Sequence, residues 1–258
     1  MSIAAELERI QQAKQDIKAA LISKDCTVPS STTIDGYPAI VNTIQAFDPY
    51  NGHDYVEIGG LKWATMNVGA TAVTDTGLYF QWGDTTGYVA ANVGASGTTD
   101  AKPFVWADYK FGNGTTSPGT TGQTKYNSTD SKTVLDKCDD AARVNWGGAW
   151  RMPTTAEFQA LGTAITSAWT NNYNSSGVPG LVLTDKTDSS KKLFFPAAGN
   201  CSNGSVHSVG YGNYWSSSLL TSNVSRAYYL NFGSSIIIDW QSYTYRYYGF
   251  PVRGVLDA

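Results

Sequence analysis

Gly204-Ser205-Val206-His207-Ser208-Val209-Gly210-Tyr211-Gly212-Asn213-Tyr214-Trp215-Ser216-Ser217-Ser218 opens a run that stays dense in Tyr, Ser, Asn, Ile and Trp as far as Arg246-Tyr247-Tyr248-Gly249-Phe250-Pro251-Val252-Arg253. Between Gly204 and Gly249 there is no Lys and no Glu, although both are common on ordinary protein surfaces. Tyr and Trp supply large, rigid contact area at low entropic cost, while Ser, Gly and Asn adapt their hydrogen bonds. That is the composition of a binding surface. A Tyr-rich β-core would use the same residues, and composition alone leaves both readings open.

Outward from this run, 258 residues suffice for one large domain, or one domain with a small appendage. Charged residues make up 15%, aromatics 13%, and there are 26 Gly, a loop-rich and β-leaning profile. A formal net charge of −3 without any basic run argues against an electrostatic grip on nucleic acid or an anionic membrane. Cys26, Cys138 and Cys201 lie far apart, with no C-x-x-C pair, so neither a disulfide framework nor a zinc set follows. The N-terminal residues carry no basic and apolar leader pattern, and no stretch approaches a membrane span. The expectation is therefore no signal peptide and no membrane insertion.

Ile3, Leu7, Ile10, Ile17 and Leu21 recur at steps of four and three, broken only by Lys14, which predicts a helix over Ser2–Ser23. The stripe reads either as a short coiled-coil seam with one polar position or as a face covered by the segment that follows. Thr27-Val28-Pro29 and Tyr37-Pro38 break the helix, and a short second one is expected around Ala39–Ile44. The turn-rich Phe47-Asp48-Pro49-Tyr50-Asn51-Gly52 marks a boundary. It divides a helical module, 1–46, from a second domain, 47–258. Tyr55–Ala64 reads as two strands about Gly59-Gly60, and Thr133–Arg143 has helical spacing. Thr154 and Glu157 form a capping box ahead of Phe158, Leu161 and Ile165, while Val182-Leu183 and Leu193–Pro196 read as strands.

Two resemblances follow. Ala13-Lys14, Ile17, Lys24, Val28-Pro29, Ile34, Tyr37-Pro38 and Ile44 resemble a short N-terminal module found on structural proteins of phages that infect gut bacteria. Beyond it stand Trp63–Ala70, Gly77–Gly83, Asp140-Ala141-Ala142, Trp146–Thr154, Phe195–Gly199, Tyr214–Ser218 and Gly249–Arg253. In that order they resemble bacterial C-type-lectin-like domains, which are related to the formylglycine-generating-enzyme fold and include variable proteins of diversity-generating retroelements. The resemblance spans about Tyr55 to Val255. It implies an α+β, C-type-lectin-like domain, loop-rich, with two helices flanking antiparallel sheets and the domain's chain ends close together.

The resemblance also implies a variable region, about 204–249. In such proteins adenines of a C-terminal repeat are rewritten during reverse transcription. Asparagine codons, the main targets, can then become Tyr, Ser, Ile or Gly but never Lys or Glu. The fixed frame is Trp215–Ser218, Ala227, Leu230, Phe232, Arg246 and Gly249-Phe250. Between those posts lie the candidate ligand-binding positions: Tyr211, Leu219, Leu220, Val224, Ser225, Tyr228, Ser234, Ile236, Ile238, Trp240, Tyr243, Tyr245, Tyr247 and Tyr248. Trp240 departs from the pattern, because adenine changes alone cannot take an asparagine codon to tryptophan. The candidate positions are expected to be exposed on one face, with Trp215, Leu230 and Phe232 buried.

Catalytic readings are thin. His53 and His207 each lack a second ligand at metal spacing, and no nucleophile elbow, phosphate loop or H-E-x-x-H occurs. Asp139 and Asp140 suit local hydrogen bonding near a helix start better than acid/base work. The cysteine pair of the formylglycine-generating enzyme and the Glu-Pro-Asn or Gln-Pro-Asp tripeptide of calcium-dependent lectins find no match. The expectation is a non-enzymatic binding protein with no catalytic residue, no metal and no cofactor. Its partner would be a protein or glycan on a host or target cell surface. It would reside on a phage tail, or in the cytoplasm before assembly, and self-associate through residues 1–46. The alternative is a structural or adhesin-type surface component that is not diversified.

Overall fold

The computed structural model describes residues 3–22, 29, 31–33, 36–37, 48–94, 101–114 and 122–257. The helix expected at Ala39–Ile44, Phe47 of the junction, Cys26, and the side chains of Ile3, Leu21 and Ile236 lie outside that description. The chain divides into two compact units, Met1–Asp48 and Pro49–Ala258. In the first, α1 runs Ile3–Ile22. Its apolar stripe leaves Leu7, Ile10 and Ile17 exposed. No helix among the described residues is long and apolar enough to cross a membrane.

Among its described residues the second unit combines two α-helices with several antiparallel sheets. Strands β1 (Tyr55–Ile58) and β2 (Leu61–Asn67) meet at Gly59 and Gly60, whose φ of 63° and 78° form the left-handed turn that only such residues make cheaply. Strand β11 (Arg253–Asp257) pairs with β2, so the two ends of the unit share one sheet. Helix α2 is Ala141–Trp146 and α3 is Thr155–Ala164. Thr154 caps α3 by accepting from the Glu157 amide, while the Glu157 carboxylate accepts from the Thr154 amide at 2.7 Å. The helical spacing over Thr133–Arg143 does not become one helix. Lys137–Asp139 forms a 3₁₀ turn, and α2 starts only at Ala141 because Asp140 takes an extended conformation and caps it.

A second sheet is β3 (Ile165–Thr170), β4 (Gly180–Asp185) and β5 (Lys192–Pro196), and β6 (Asn200–Ser202) pairs with β7 (Ser205–His207). The third sheet holds most of the Tyr-rich run between Gly204 and Arg253. Its strands are β8 (Tyr211–Leu219), β9 (Arg226–Gly233) and β10 (Ile236–Tyr245), in the order β10-β9-β8. This sheet separates two apolar clusters. Trp215, Leu219, Val224 and Ala227 enter one, with Trp82, Tyr126, Trp150 and Phe250. Tyr214, Leu230 and Phe232 enter the other, with Trp63, Phe158, Leu161 and Phe195. Neighbouring Tyr214 and Trp215 thus bury opposite faces of one strand, as the two-residue period requires.

Two buried arginines join the sheets without a carboxylate among the described residues. Arg246 donates to the Tyr109 hydroxyl (2.7 Å) and to the carbonyls of Val224, Tyr126 and Lys125 (2.8, 3.0 and 3.0 Å). Arg253 donates to Asn67 Oδ1 and to the carbonyls of Ala64 and Phe194, and lies over the Phe195 ring at 4.4 Å. Each guanidinium satisfies backbone acceptors that would otherwise be stranded in apolar surroundings.

Candidate functional site

Strand β9 is regular, so Arg226, Tyr228, Leu230 and Phe232 point to one face. At Leu230 and Phe232 that face is fully buried. Helix α3 covers its neighbourhood, with the Trp240 indole seated on Gly162, where an added Cβ would lie 2.6 Å from the ring. At Arg226 and Tyr228 the same face is half open. Across the ladder, Tyr243 stands opposite Tyr228 and Tyr245 opposite Arg226. Tyr243 is 50% exposed and Tyr245 37%.

From there the rings continue as a row. Tyr228 and Tyr243 meet edge-on at 6.4 Å, the Arg226 guanidinium lies over Tyr243 and Tyr245 at 5.6 and 4.7 Å, and Tyr245 stacks on Tyr247 at 5.9 Å. Tyr247 stacks on Tyr248 at 4.8 Å, and Trp106 closes on Tyr245 and Tyr247 at 5.9 and 5.0 Å. Burial raises the Tyr247 hydroxyl above its ordinary range, and its tyrosine neighbours add to the rise. Chemically the face is a plane of phenol rings with their hydroxyls and one cation, suited to contact rather than to bond making.

The fourteen candidate positions do not share that face. Tyr228, Tyr243 and Tyr245 form it, and the row continues past β10 to Tyr247 and Tyr248, which are half-buried against the first apolar cluster rather than exposed as expected. Tyr211, 38% exposed, pairs with Gly233 at the opposite end of the strands, beside exposed Ser234. Ile238 and Trp240 are half-buried, lining a shallow groove of about 450 Å³ with Ser167, Trp169 and Leu181.

Leu219, Leu220, Val224 and Ser225 are buried, contrary to the expected exposure. The reason is the β8–β9 connection, a tight turn held from inside. The Leu220 amide donates to the Arg226 carbonyl, and Ser225 hydrogen-bonds Asn223 Oδ1. Arg246 grips the Val224 carbonyl through its side chain and the Ser225 carbonyl through its amide. Leu219 meanwhile reaches the core through a bulge between Trp215 and Leu219.

Two residues of this region were not among the expected positions: Arg226, on the face, and Trp106, buried against its rings. Arg226 could have been found as one of only three charged side chains between Gly204 and Gly249, with Asp239 and Arg246. Trp106 belongs to the short apolar run Phe104-Val105-Trp106, which carries no local sign of the strands it packs against.

Other titratable groups are held by neighbours. Asp136, Cys138 and Asp139 place ligand atoms within 4.8 Å of one another. Both carboxylates are already ion-paired, Asp139 with Lys110 and Lys125 and Asp136 with Lys125 and Lys132. The Lys125 and Lys132 ammonium groups hold Asp136 down at about 2. Asp140, raised by burial, accepts from the amides of Arg143 and Met152. His53 stacks on Trp146 at 4.2 Å and is lowered by burial, and His207 Nε2 lies 2.9 Å from the Ser202 carbonyl. No protein-family model, curated protein or solved structure matches the chain.

Proposed function

We propose that the chain is a non-enzymatic, cofactor-free ligand-binding protein. In this reading residues 49–257 form a C-type-lectin-like scaffold resembling the variable proteins of diversity-generating retroelements, and the aromatic end of the β8–β10 sheet is its displayed, diversified surface. The observation that carries the reading is the divided face of β9 and β10. Buried posts at Leu230 and Phe232 hold the strands, while Tyr228, Tyr243 and Tyr245 lie beyond the covered part, where side chains can change without touching the core. Tyr and Arg are also the residues most enriched at binding hot spots. The partner would be a protein or glycan on a host or target cell, met from a phage tail. The testing observation is a near-identical template repeat beside a reverse-transcriptase gene, differing from the coding repeat at adenines. A locus without one returns the chain to the class of undiversified surface components.

The N-terminal unit would serve attachment and assembly. Leu7, Ile10 and Ile17 are exposed along one stripe of α1, and burying each contributes roughly 1.5–3 kcal/mol, enough for copies to associate. Association would add avidity to weak individual sites. Light scattering checks it: the full chain should be oligomeric, and a chain beginning at Asp48 monomeric. Monomers for both, or an oligomer that survives the deletion, would remove this role.

A further inference from the structure

We propose that the open face binds an acidic residue of a partner protein, with Arg226 as the anchor for its carboxylate; the proposal rests on the reading of this face as a ligand-binding surface. The first observation is an arginine with unused donors. Among the described residues Arg226 has no carboxylate within ion-pair distance, whereas Arg9 and Arg151 are both paired. Its one side-chain hydrogen bond is a long one, Nη2 to the Tyr245 hydroxyl at 3.4 Å. Its Nε–H is buried without a partner, which leaves the terminal Nη groups as the donors that a carboxylate would meet end-on. A guanidinium held over two rings with donors to spare is arranged to receive a planar, two-oxygen acceptor.

The second observation is the absence of company. Between Gly204 and Gly249 the charged side chains are Arg226, Asp239 and Arg246. Arg246 is fully buried, and Asp239 pairs with Asn231 while Arg226 pairs with Tyr245, which sets them roughly 17 Å apart along the ladder. The single partly exposed cation of this run, on a chain of net charge −3, is a poor match for a polyanion, which needs several cations at matched spacing, so sulfated polysaccharides, nucleic acids and anionic membranes are disfavoured. A single carboxylate set among apolar or aromatic groups fits both the cation and the flanking Tyr228, Tyr243 and Tyr245 rings. That chemistry is presented by an Asp or Glu in a protein surface.

The test pans a random dodecapeptide library over the full chain, over Arg226→Gln and over Arg226→Glu, with thermal unfolding to show that all three fold. Peptides enriched on the unaltered chain should carry Asp or Glu beside an aromatic or aliphatic residue. The acidic preference should vanish on Arg226→Gln and turn to Lys or Arg on Arg226→Glu. Selected peptides should lose roughly tenfold or more in affinity for Arg226→Gln and regain part of it on Arg226→Lys. The proposal is overturned by an acidic preference that survives Arg226→Gln, by enrichment without acidic residues, by no enrichment at all, or by dextran sulfate outcompeting the peptides. The joint variant Tyr243→Ser, Tyr245→Ser, Tyr247→Ser separates the two readings. Arg226-dependent binding that this variant leaves intact means the tyrosine surface is not the site. Binding that it abolishes, without any acidic preference on the unaltered chain, means the surface stands and the Arg226 anchor falls.

Discussion

The β8–β10 sheet has two ends built from similar residues and held to different rules. At one end Tyr214, Leu230 and Phe232 are sealed between α3 and the β3–β5 sheet, where Gly212 lies against the Phe232 ring so closely that an added Cβ would come within 1.9 Å of it. At the other end Tyr228, Tyr243 and Tyr245 present the same kind of ring to solvent. Tyrosine content therefore says little about role, and register against a covering element says a great deal. The same contrast orders the expected effects of substitution.

The largest effect belongs to the covered end. Phe232→Ala should cost about 3–5 kcal/mol, because close-packed neighbours on both sides cannot collapse into the space. Urea denaturation checks it, and a loss below about 1 kcal/mol would mean that the covered end is not packed as described. Next comes Leu219→Ala, at about 2–5 kcal/mol, although the sequence placed Leu219 among the variable positions. A near-neutral result there would restore it to the open set and blur the boundary between the two ends.

A third test uses pH. Burial pushes the Tyr214 hydroxyl up to about 12, with Arg253 opposing, and its Oη donates to the Pro196 carbonyl at 2.7 Å. The folded value lies above the ordinary 10.0, so the folded state binds the proton more tightly. The contribution of Tyr214 is full below its unfolded pKa and is lost as pH rises through the folded one. The stability gap between Tyr214→Phe and the unaltered chain should narrow between about pH 9 and pH 12. A gap independent of pH would contradict the burial of that hydroxyl. The smallest effect is at the open end, where Tyr243→Ser should change stability by no more than about 0.5 kcal/mol by the same urea assay.

Much of this was legible in the sequence. The Gly59-Gly60 hairpin and the Thr154–Glu157 box are local devices and appeared where spacing placed them. Trp215, Leu230 and Phe232 were readable as posts because apolar residues recurred there among residues free of such constraint. What could not be read depends on long-range contact. The β8–β9 turn is buried because Arg246, more than twenty residues away along the chain, reaches its carbonyls. The bulges in β10 that separate Trp240 from the tyrosine row leave no mark in residue type. Trp106 packs against the rings of the face from a loop more than a hundred residues upstream, which no periodicity announces.

Under the proposed function, variation for binding is confined to the open end of this sheet. Sequencing many copies of the gene from one population tests it most directly. Amino-acid differences should gather at Tyr228, Tyr243, Tyr245, Tyr247 and Tyr248 and spare Trp215, Leu219, Val224, Leu230, Phe232 and Arg246. Differences spread evenly between Gly204 and Gly249, or missing from those five tyrosines, would contradict it.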